Sequence, residues 1–161
     1  MFFWKKKKKS IDVYSPMNGR FVSLDEVPDQ VFSQGMMGEG FAVDPAGGEV
    51  VSPVDGKVIH LFPTKHAIGL KTADGLEILV HIGIDTVELN GKKGFETFVS
   101  EGDSVKVGQK LLKVDVDFLK EKGKSPVSPV VFPQSAEWKI EFKEQEDLKA
   151  GETHVASVEK K

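Results

Sequence analysis

The sequence contains no cysteine. That absence removes a disulfide framework, a thiolate nucleophile, a cysteine-based zinc site and a cysteine phosphate carrier. It leaves the redox compartment open, although it suits the cytoplasm, where the protein is expected. An excess of positive charge is missing too. The 22 Lys and Arg stand against 25 Asp and Glu, a formal net charge of −3, so no nucleic-acid footprint is expected. No apolar run approaches the ~18 residues that would cross a bilayer. No segment sustains a 3.6-residue period long enough for a substantial helix.

What the chain does have is punctuation. Sixteen glycines and eight prolines interrupt short apolar runs rich in β-branched residues. Val22, Val43, Val50, Val51, Val58, Ile59, Ile68, Leu70, Ile78 to Val80, Leu111, Leu112, Val114, Val127, Val130 and Val131 mark the candidate strands. The turn signals Asn18-Gly19, Asp55-Gly56 and Asp74-Gly75 separate several of them. The pattern predicts an all-β class, an antiparallel sandwich or flattened barrel. Two short helical turns are expected, around Asp85 to Leu89 with Asp85 as N-cap, and around Asp117 to Lys122. With 161 residues, one domain over 11–161 buries enough surface to need no staple.

The chain echoes itself. SPMNGRFVSL (15–24) and SPVDGKVIHL (52–61) share Ser-Pro, a glycine, a basic residue and an apolar strand ending in Leu. EGDSVKVGQKLLKVD (101–115) and DLKAGETHVASVE (147–159) are related more loosely. Such repetition points to a sheet built by duplication.

The first ten residues, MFFWKKKKKS, form a separate basic tail. An apolar cap before five lysines is the wrong order for a secretory signal. A self-repelling flexible tail is the plain reading. The alternative is weak contact with a membrane surface through Phe2, Phe3 and Trp4, with Lys5 to Lys9 facing anionic lipid.

Of the four histidines, His66 and His81 make the informative pair; His60 and His154 carry little signal. Asp74-Gly75 lies between the two, so the flanking strands should form a hairpin. A turn centred on Asp74-Gly75 would set His81 opposite Ile68 and His66 opposite Gly83, within interaction range of each other. Ile78, Leu79, Val80, Ile82 and Ile84 surround His81 with apolar side chains. A mostly neutral imidazole offers one nucleophilic nitrogen near pH 7. A second imidazole can donate a hydrogen bond to a transferring group, and Thr64 is spaced to orient it through its hydroxyl. Asp85 is placed to steer partner groups. Taken singly, each histidine is more often a packed strand residue, and spacing alone does not separate phosphate transfer from metal binding.

The run VSPVDGKVIHLFPTKHAIGLKTADGLEILVHIGIDTVELNGKKGFETFVSEGDSVKVGQKLLKVD (51–115) resembles the glucose-family enzyme IIA of the bacterial sugar phosphotransferase system. The resemblance extends to EVPDQVF (26–32), GEGFAVDP (38–45) and KSPVSPVVF (124–132), and VHIGIDTVELNG (80–91) is its most specific part. It implies a sandwich of duplicated hybrid motifs. It implies that His81 accepts phosphate from the carrier HPr and passes it to a cysteine of an enzyme IIB domain in a glucose-type IIB/IIC permease. His66 would support the transfer and Thr64 would orient His66. Asp29 and Asp85 match acidic residues flanking the family's site, and Phe41, Phe62 and Val87 its apolar docking rim. Leu79 stands where some relatives carry phenylalanine. No cofactor is required by this reading. In some bacteria, unphosphorylated members bind regulated permeases or glycerol kinase, and zinc held by His66 and His81 at such an interface is a further expectation.

Two other readings compete. A zinc peptidase resembling the lysostaphin type would need three protein ligands, and the chain has no His-x-His element. A biotinyl- or lipoyl-like carrier would share the flanks SPVDGKV and EGDSVKVGQKL, but needs a lysine on the central hairpin turn, and LKTADGLEI (70–78) has none there.

Overall fold

The computed structural model describes residues 10–161. The basic tail therefore lies outside the described residues, except Ser10, which already belongs to the first strand. In chain order the strands are β1 (Ser10–Tyr14), β2 (Gly19–Ser23), β3 (Glu39–Pro45), β4 (Glu49–Val51), β5 (Gly56–Leu61), β6 (Ala67–Lys71) and β7 (Glu77–His81). They continue with β8 (Phe95–Thr97), β9 (Ser104–Val105), β10 (Lys110–Val114), β11 (Ser128–Phe132), β12 (Trp138–Phe142), β13 (Asp147–Leu148) and β14 (His154–Lys160). Helix α1 (Gln30–Ser33) follows β2, and α2 (Val116–Glu121) follows β10. The all-β expectation holds, and every pairing is antiparallel.

The duplication heard in the sequence is a symmetry of the fold. One sheet runs β13-β2-β3-β11-β7-β6-β5-β9. It reads alike from both ends and turns about the β11–β7 seam. The sheets β1-β14-β12 and β4-β10-β8 are the matching pair of three-stranded layers. At one end Arg20 and Gly19 pair with Asp147 and Leu148; at the other, Lys57 and Gly56 pair with Ser104 and Val105. The two Ser-Pro motifs bond to one another reciprocally, Tyr14 N–H to the Pro53 carbonyl (2.9 Å) and Val51 N–H to the Pro16 carbonyl (2.8 Å). Ser15 and Ser52 are fully buried, and each satisfies its hydroxyl on the carbonyl two residues ahead, Met17 and Val54. The looser echo is real as well, because Gly108 N–H donates to Ser52 and Gly151 N–H to Ser15.

Residues of all three sheets close one core, among them Val13, Phe41, Val58, Ile68, Leu70, Ile78, Val80, Leu111, Val130, Phe132 and Val158. Alternation sends Ala42, Val131 and Leu79 to the other face of the large sheet. There they meet Val27, Phe32 and Ile84 in a second, smaller cluster. With both faces covered, β11 is buried along its whole length. That is why its sequence is continuously apolar and not alternating. Val127, marked as a strand residue in the sequence, sits just before it.

Three local expectations change. The β6–β7 hairpin pairs Ala67 with His81 and Ile68 with Val80, one residue out of the expected register. Its turn is longer than assumed: Thr72 N–H bonds to the Leu76 carbonyl and Gly75 N–H to Thr72 (2.9 and 3.0 Å), with Gly75 at φ +93°. That is the three-residue loop with a left-handed glycine, not a two-residue turn. The helical turns expected from the sequence appear as a 3-10 turn at Thr86–Leu89 and as α2. Asp85 does not cap the first, since it is itself left-handed (φ 59°) and its side chain makes no capping bond. Asp115 caps α2 instead, accepting from Phe118 N–H.

Candidate functional site

His81 ends β7, and its side chain shares a face of the sheet with Ala67, directly opposite. It is half-buried in the smaller hydrophobic layer, where the edge of the Phe32 ring meets it at 5.0 Å between centroids. Phe32 arrives there because Asp29 starts α1: its carboxylate accepts from Val31 N–H at 2.9 Å. Beyond His81 the chain is fixed at several points. Gly83 N–H bonds to the buried Ser128 hydroxyl (3.1 Å), Ile84 N–H to the Ser125 carbonyl (2.9 Å), and the Thr86 hydroxyl to the Ile82 carbonyl.

The Gly83 carbonyl, so held, lies 2.7 Å from His81 Nδ1. A carbonyl only accepts, so Nδ1 carries the proton and Nε2 keeps its lone pair. Burial lowers the pKa of His81. The Gly83 carbonyl, Asp29 and Asp85 each push the other way, in that order, without overcoming it.

His66 lies just before β6. Regular strand geometry in the observed register would turn residue 66 to the opposite face from residue 81. The irregular segment ahead of it prevents that. Lys65 N–H closes a turn onto the Phe62 carbonyl (2.7 Å), and Lys65 takes a left-handed conformation (φ 57°). The His66 carbonyl still accepts from Ile82 N–H (2.6 Å), while its ring swings to the His81 side. The two imidazole centroids are 5.0 Å apart at 72°. The predicted meeting is thus correct, though the ladder argument for it was not. Thr64 Oγ1 bonds to His66 Nδ1. Burial and the neighbouring His81 push the His66 pKa down to about 4.

The rim is partly as expected. Phe62 (37% exposed) and Val87 (45%) are open to solvent, and Phe62 lies 5.3 Å from His66. Leu79 is half-buried in the smaller hydrophobic layer; Asp29 is half-buried and Asp85 exposed. Phe41 is a correction. It is fully buried, stacked on Phe21 and edge-on to Phe142, because alternation in β3 sends residue 41 to the main core. Sequence reasoning missed Phe32, Val31 and Met36. The first packs on His81, while the other two are 41% and 70% exposed on and beyond the same helix. The signal was available, since Pro28-Asp29 ahead of Gln30-Val31-Phe32 is a helix start. Four of the five exposed large apolar side chains among the described residues belong to segments carrying this site, the fifth being Phe98.

His60 is exposed on β5, and His154 is in another sheet, bonded to Asp12 at 3.0 Å. Neither joins the pair. Among the described residues no three His, Cys, Asp or Glu side chains converge as a metal site, so a hydrolytic zinc centre lacks its third ligand. The β6–β7 turn, Ala73-Asp74-Gly75, carries no lysine for a swinging-arm cofactor. Open grooves of about 570 and 770 Å³ are lined by other residues, such as Gly48 and Lys113, and Arg20 and Asp147. Beside the histidine pair Phe62 and Val87 stand exposed, and exposed apolar side chains around a reactive group suit a side chain delivered by another protein.

Residues 11–138 match the family described as the phosphoenolpyruvate-dependent sugar phosphotransferase system, EIIA 1. A glucose-specific EIIA component from Staphylococcus epidermidis is 46% identical over 155 residues, covering 96% of this chain and 93% of the relative. Its counterpart in Staphylococcus aureus shows the same identity and coverage. The solved structure of glucose permease IIA from Mycoplasma capricolum superposes with a TM-score of 0.87 at 40% identity, over 97% of this chain and 99% of that one.

Proposed function

The chain belongs to the EIIA 1 family of the phosphoenolpyruvate-dependent sugar phosphotransferase system, whose glucose components carry phosphate in sugar uptake, and from that premise we propose that Nε2 of His81 bears the phosphate. The observation that carries the proposal is the bond from His81 Nδ1 to the Gly83 carbonyl, which leaves Nε2 as the ring's one nucleophilic lone pair. The Nε2 pair attacks the phosphorus of phospho-HPr. An N–P bond forms on His81 as the N–P bond of HPr breaks and returns its electron pair to that imidazole. His81 keeps its Nδ1 proton, so the phosphorylated ring is cationic. The Gly83 carbonyl, Asp29 and Asp85 all favour that cation. A cationic ring is also a good leaving group. Attack by the cysteine thiolate of an enzyme IIB domain forms S–P, breaks N–P and returns the pair to Nε2.

Phosphoryl transfer asks a protein mainly for alignment and for donors to the equatorial oxygens. His66 supplies a donor if its Nε2 is protonated. A Thr64 hydroxyl donating to Nδ1 holds that tautomer. Phe62, Leu79, Val87, Val31 and Met36 form the apolar surface against which partners dock. The sugar is handled by the membrane component, IIC, and the protein works in the cytoplasm. Regulated permeases or glycerol kinase are further partners of the unphosphorylated form. Zinc at such an interface would take His66 and His81 as two ligands and the remainder from the partner.

Incubation with phosphorylated HPr, then with a glucose-type IIB domain, tests the relay. Mass spectrometry should place one phosphate on His81, and the second step should remove it. Phosphate on another residue, or none, would refute the assignment.

A further inference from the structure

Three non-glycine residues among those described have left-handed backbones: Lys65, Asp85 and Asn90. All three flank the histidine pair. Lys65 precedes His66, and Asp85 and Asn90 bracket the 3-10 turn that follows β7. Asp and Asn adopt this conformation more readily than other side chains, but a lysine holds it only where the surroundings enforce it. Strain confined to two loops beside one site raises the question of what locks these loops together.

The contact is at Gly91. It is buried, at φ +66°, directly after Asn90, and it packs on the backbone of the other loop. A Cβ there would stand 2.8 Å from both the carbonyl carbon and oxygen of Thr64, and 3.2 Å from the Pro63 carbonyl oxygen. These are main-chain atoms that cannot rotate away. The 62–66 loop is closed on itself by Lys65 N–H on the Phe62 carbonyl (2.7 Å). It is tied to its surroundings at its ends, by Leu61 N–H on the Glu101 carboxylate (3.0 Å), by Phe62 N–H on the Ala67 carbonyl (3.3 Å) and by Ile82 N–H on the His66 carbonyl (2.6 Å). Its middle, where Thr64 lies, rests on Gly91.

We infer that Gly91 is a positioning residue for phosphoryl transfer: its missing side chain lets the 85–91 segment seat the Thr64 peptide, so that the Thr64 hydroxyl meets His66 Nδ1 and His66 Nε2 faces His81. This inference rests on the supporting role proposed for His66. The segment that fixes His81 on one side thereby fixes its helper on the other. An added methyl would push Thr64 back by several tenths of an ångström. Misplacement by 1 Å can cost about 100-fold in rate, so a loss of about tenfold is expected here.

The test compares Gly91→Ala with Gly75→Ala in the full chain. Gly75 is also left-handed (φ +93°) but has nothing within 4 Å of its Cβ position, so it reports backbone strain without the contact. Acceptance from phosphorylated HPr should stay within about twofold of wild type in both variants. Single-turnover donation to the IIB domain should fall about tenfold in Gly91→Ala alone. The ¹⁵N shifts of His66 should also show loss of the Nε2–H tautomer in that variant. Should Gly91→Ala fail to fold, Pro63→Gly loosens the same loop without a clash and should produce the same donation-specific loss. Gly91→Ala behaving like Gly75→Ala, or Pro63→Gly leaving donation and tautomer unchanged, would overturn the inference. His66→Gln separates the two ideas. If it donates normally, the role of His66 itself is wrong; if it donates poorly while the glycine variants match, only Gly91 is acquitted.

Discussion

Nδ1 of His81 and the carbonyl of Gly83, 2.7 Å apart, decide which nitrogen of the site is chemically available. The carbonyl is immobilised by the Gly83 N–H bond to Ser128 and the Ile84 bond to Ser125, so the imidazole has little freedom to exchange tautomers. On the proposed assignment of the phosphate to His81, the phosphohistidine isomer reads out this geometry directly. Phosphorylated protein should yield the Nε2 isomer on hydrolysis or by ³¹P NMR, and His81→Ala should lose phosphate acceptance altogether. Recovery of the Nδ1 isomer would mean that the Gly83 bond breaks before reaction.

His66 should matter in one direction more than the other. His66→Gln is expected to accept phosphate near the wild-type rate and to donate it about 100-fold more slowly, the lower range for a positioned acid or base. Charge leaves with the phosphate in the second step, when loss of a donor to its oxygens is felt most. Thr64→Val should fall between the two. Rapid-quench transfer to the IIB domain measures both, and equal loss in both directions would reject the division of roles.

The same residue should shape stability at acid pH. In the folded protein His66 titrates at about 4, held down by burial and by His81; unfolded, it returns to its ordinary value of about 6.5. Between these two values the unfolded chain binds the extra proton. Stability is therefore intact above about pH 6.5 and declines as pH falls toward 4. His81, lowered mainly by burial, acts in the same sense. Thermal melts across this window should fall more steeply for wild type than for His66→Gln. Parallel curves would assign the acid loss to other groups.

Phe32 tests whether burial is the main influence on His81. The ring packs edge-on to the imidazole and is itself 5% exposed. Phe32→Ala opens that side to water, so the His81 pKa should rise toward the ordinary histidine value, at a stability cost of about 3 kcal/mol. Phe32→Leu retains most of the apolar cover and should leave the titration nearer to wild type. NMR titration of the His81 ring distinguishes the cases, and a fall in Tm without any change in titration would show that Phe32 serves packing alone.

What the sequence disclosed, and what it hid, divides along physical lines. Strand content and both Ser-Pro echoes were legible, because turn residues and β-branched runs act locally. The His66–His81–Thr64 grouping was reached through a hairpin register that does not hold, since the left-handed Lys65 turns His66 to its place. The Asp74-Gly75 register was misread by one residue, since the same dipeptide serves two- and three-residue loops and only the far ends of the hairpin choose between them. Phe41 was placed on the rim by the family resemblance alone, and period-2 alternation could not correct this, because it tells which residues share a face, not which face meets the larger core. Phe32 escaped notice because α1 spans only Gln30–Ser33, too short to show a period. Its place beside His81 depends on sheet residues distant in sequence.

The duplication makes one last expectation unusually sharp. Gly151 and Gly108 come from the two halves of the looser echo, and a Cβ on Gly151 would stand 2.8 Å from the Gly108 Cα, with Val51 Cγ2 at 3.7 Å. Here the halves touch main chain to main chain, and neither side can yield without moving a Ser-Pro motif to which it is bonded. Gly151 and Gly123 share φ +72°, but Gly123 has nothing within 4 Å of its Cβ position. Gly123→Ala should therefore report the left-handed penalty by itself, about 1 kcal/mol. Gly151→Ala adds overpacking and should lose about 3 kcal/mol in all. Urea unfolding of the two variants measures the difference; equal losses would mean that the halves separate freely at this crossing, and that the symmetry of the fold does not depend on it.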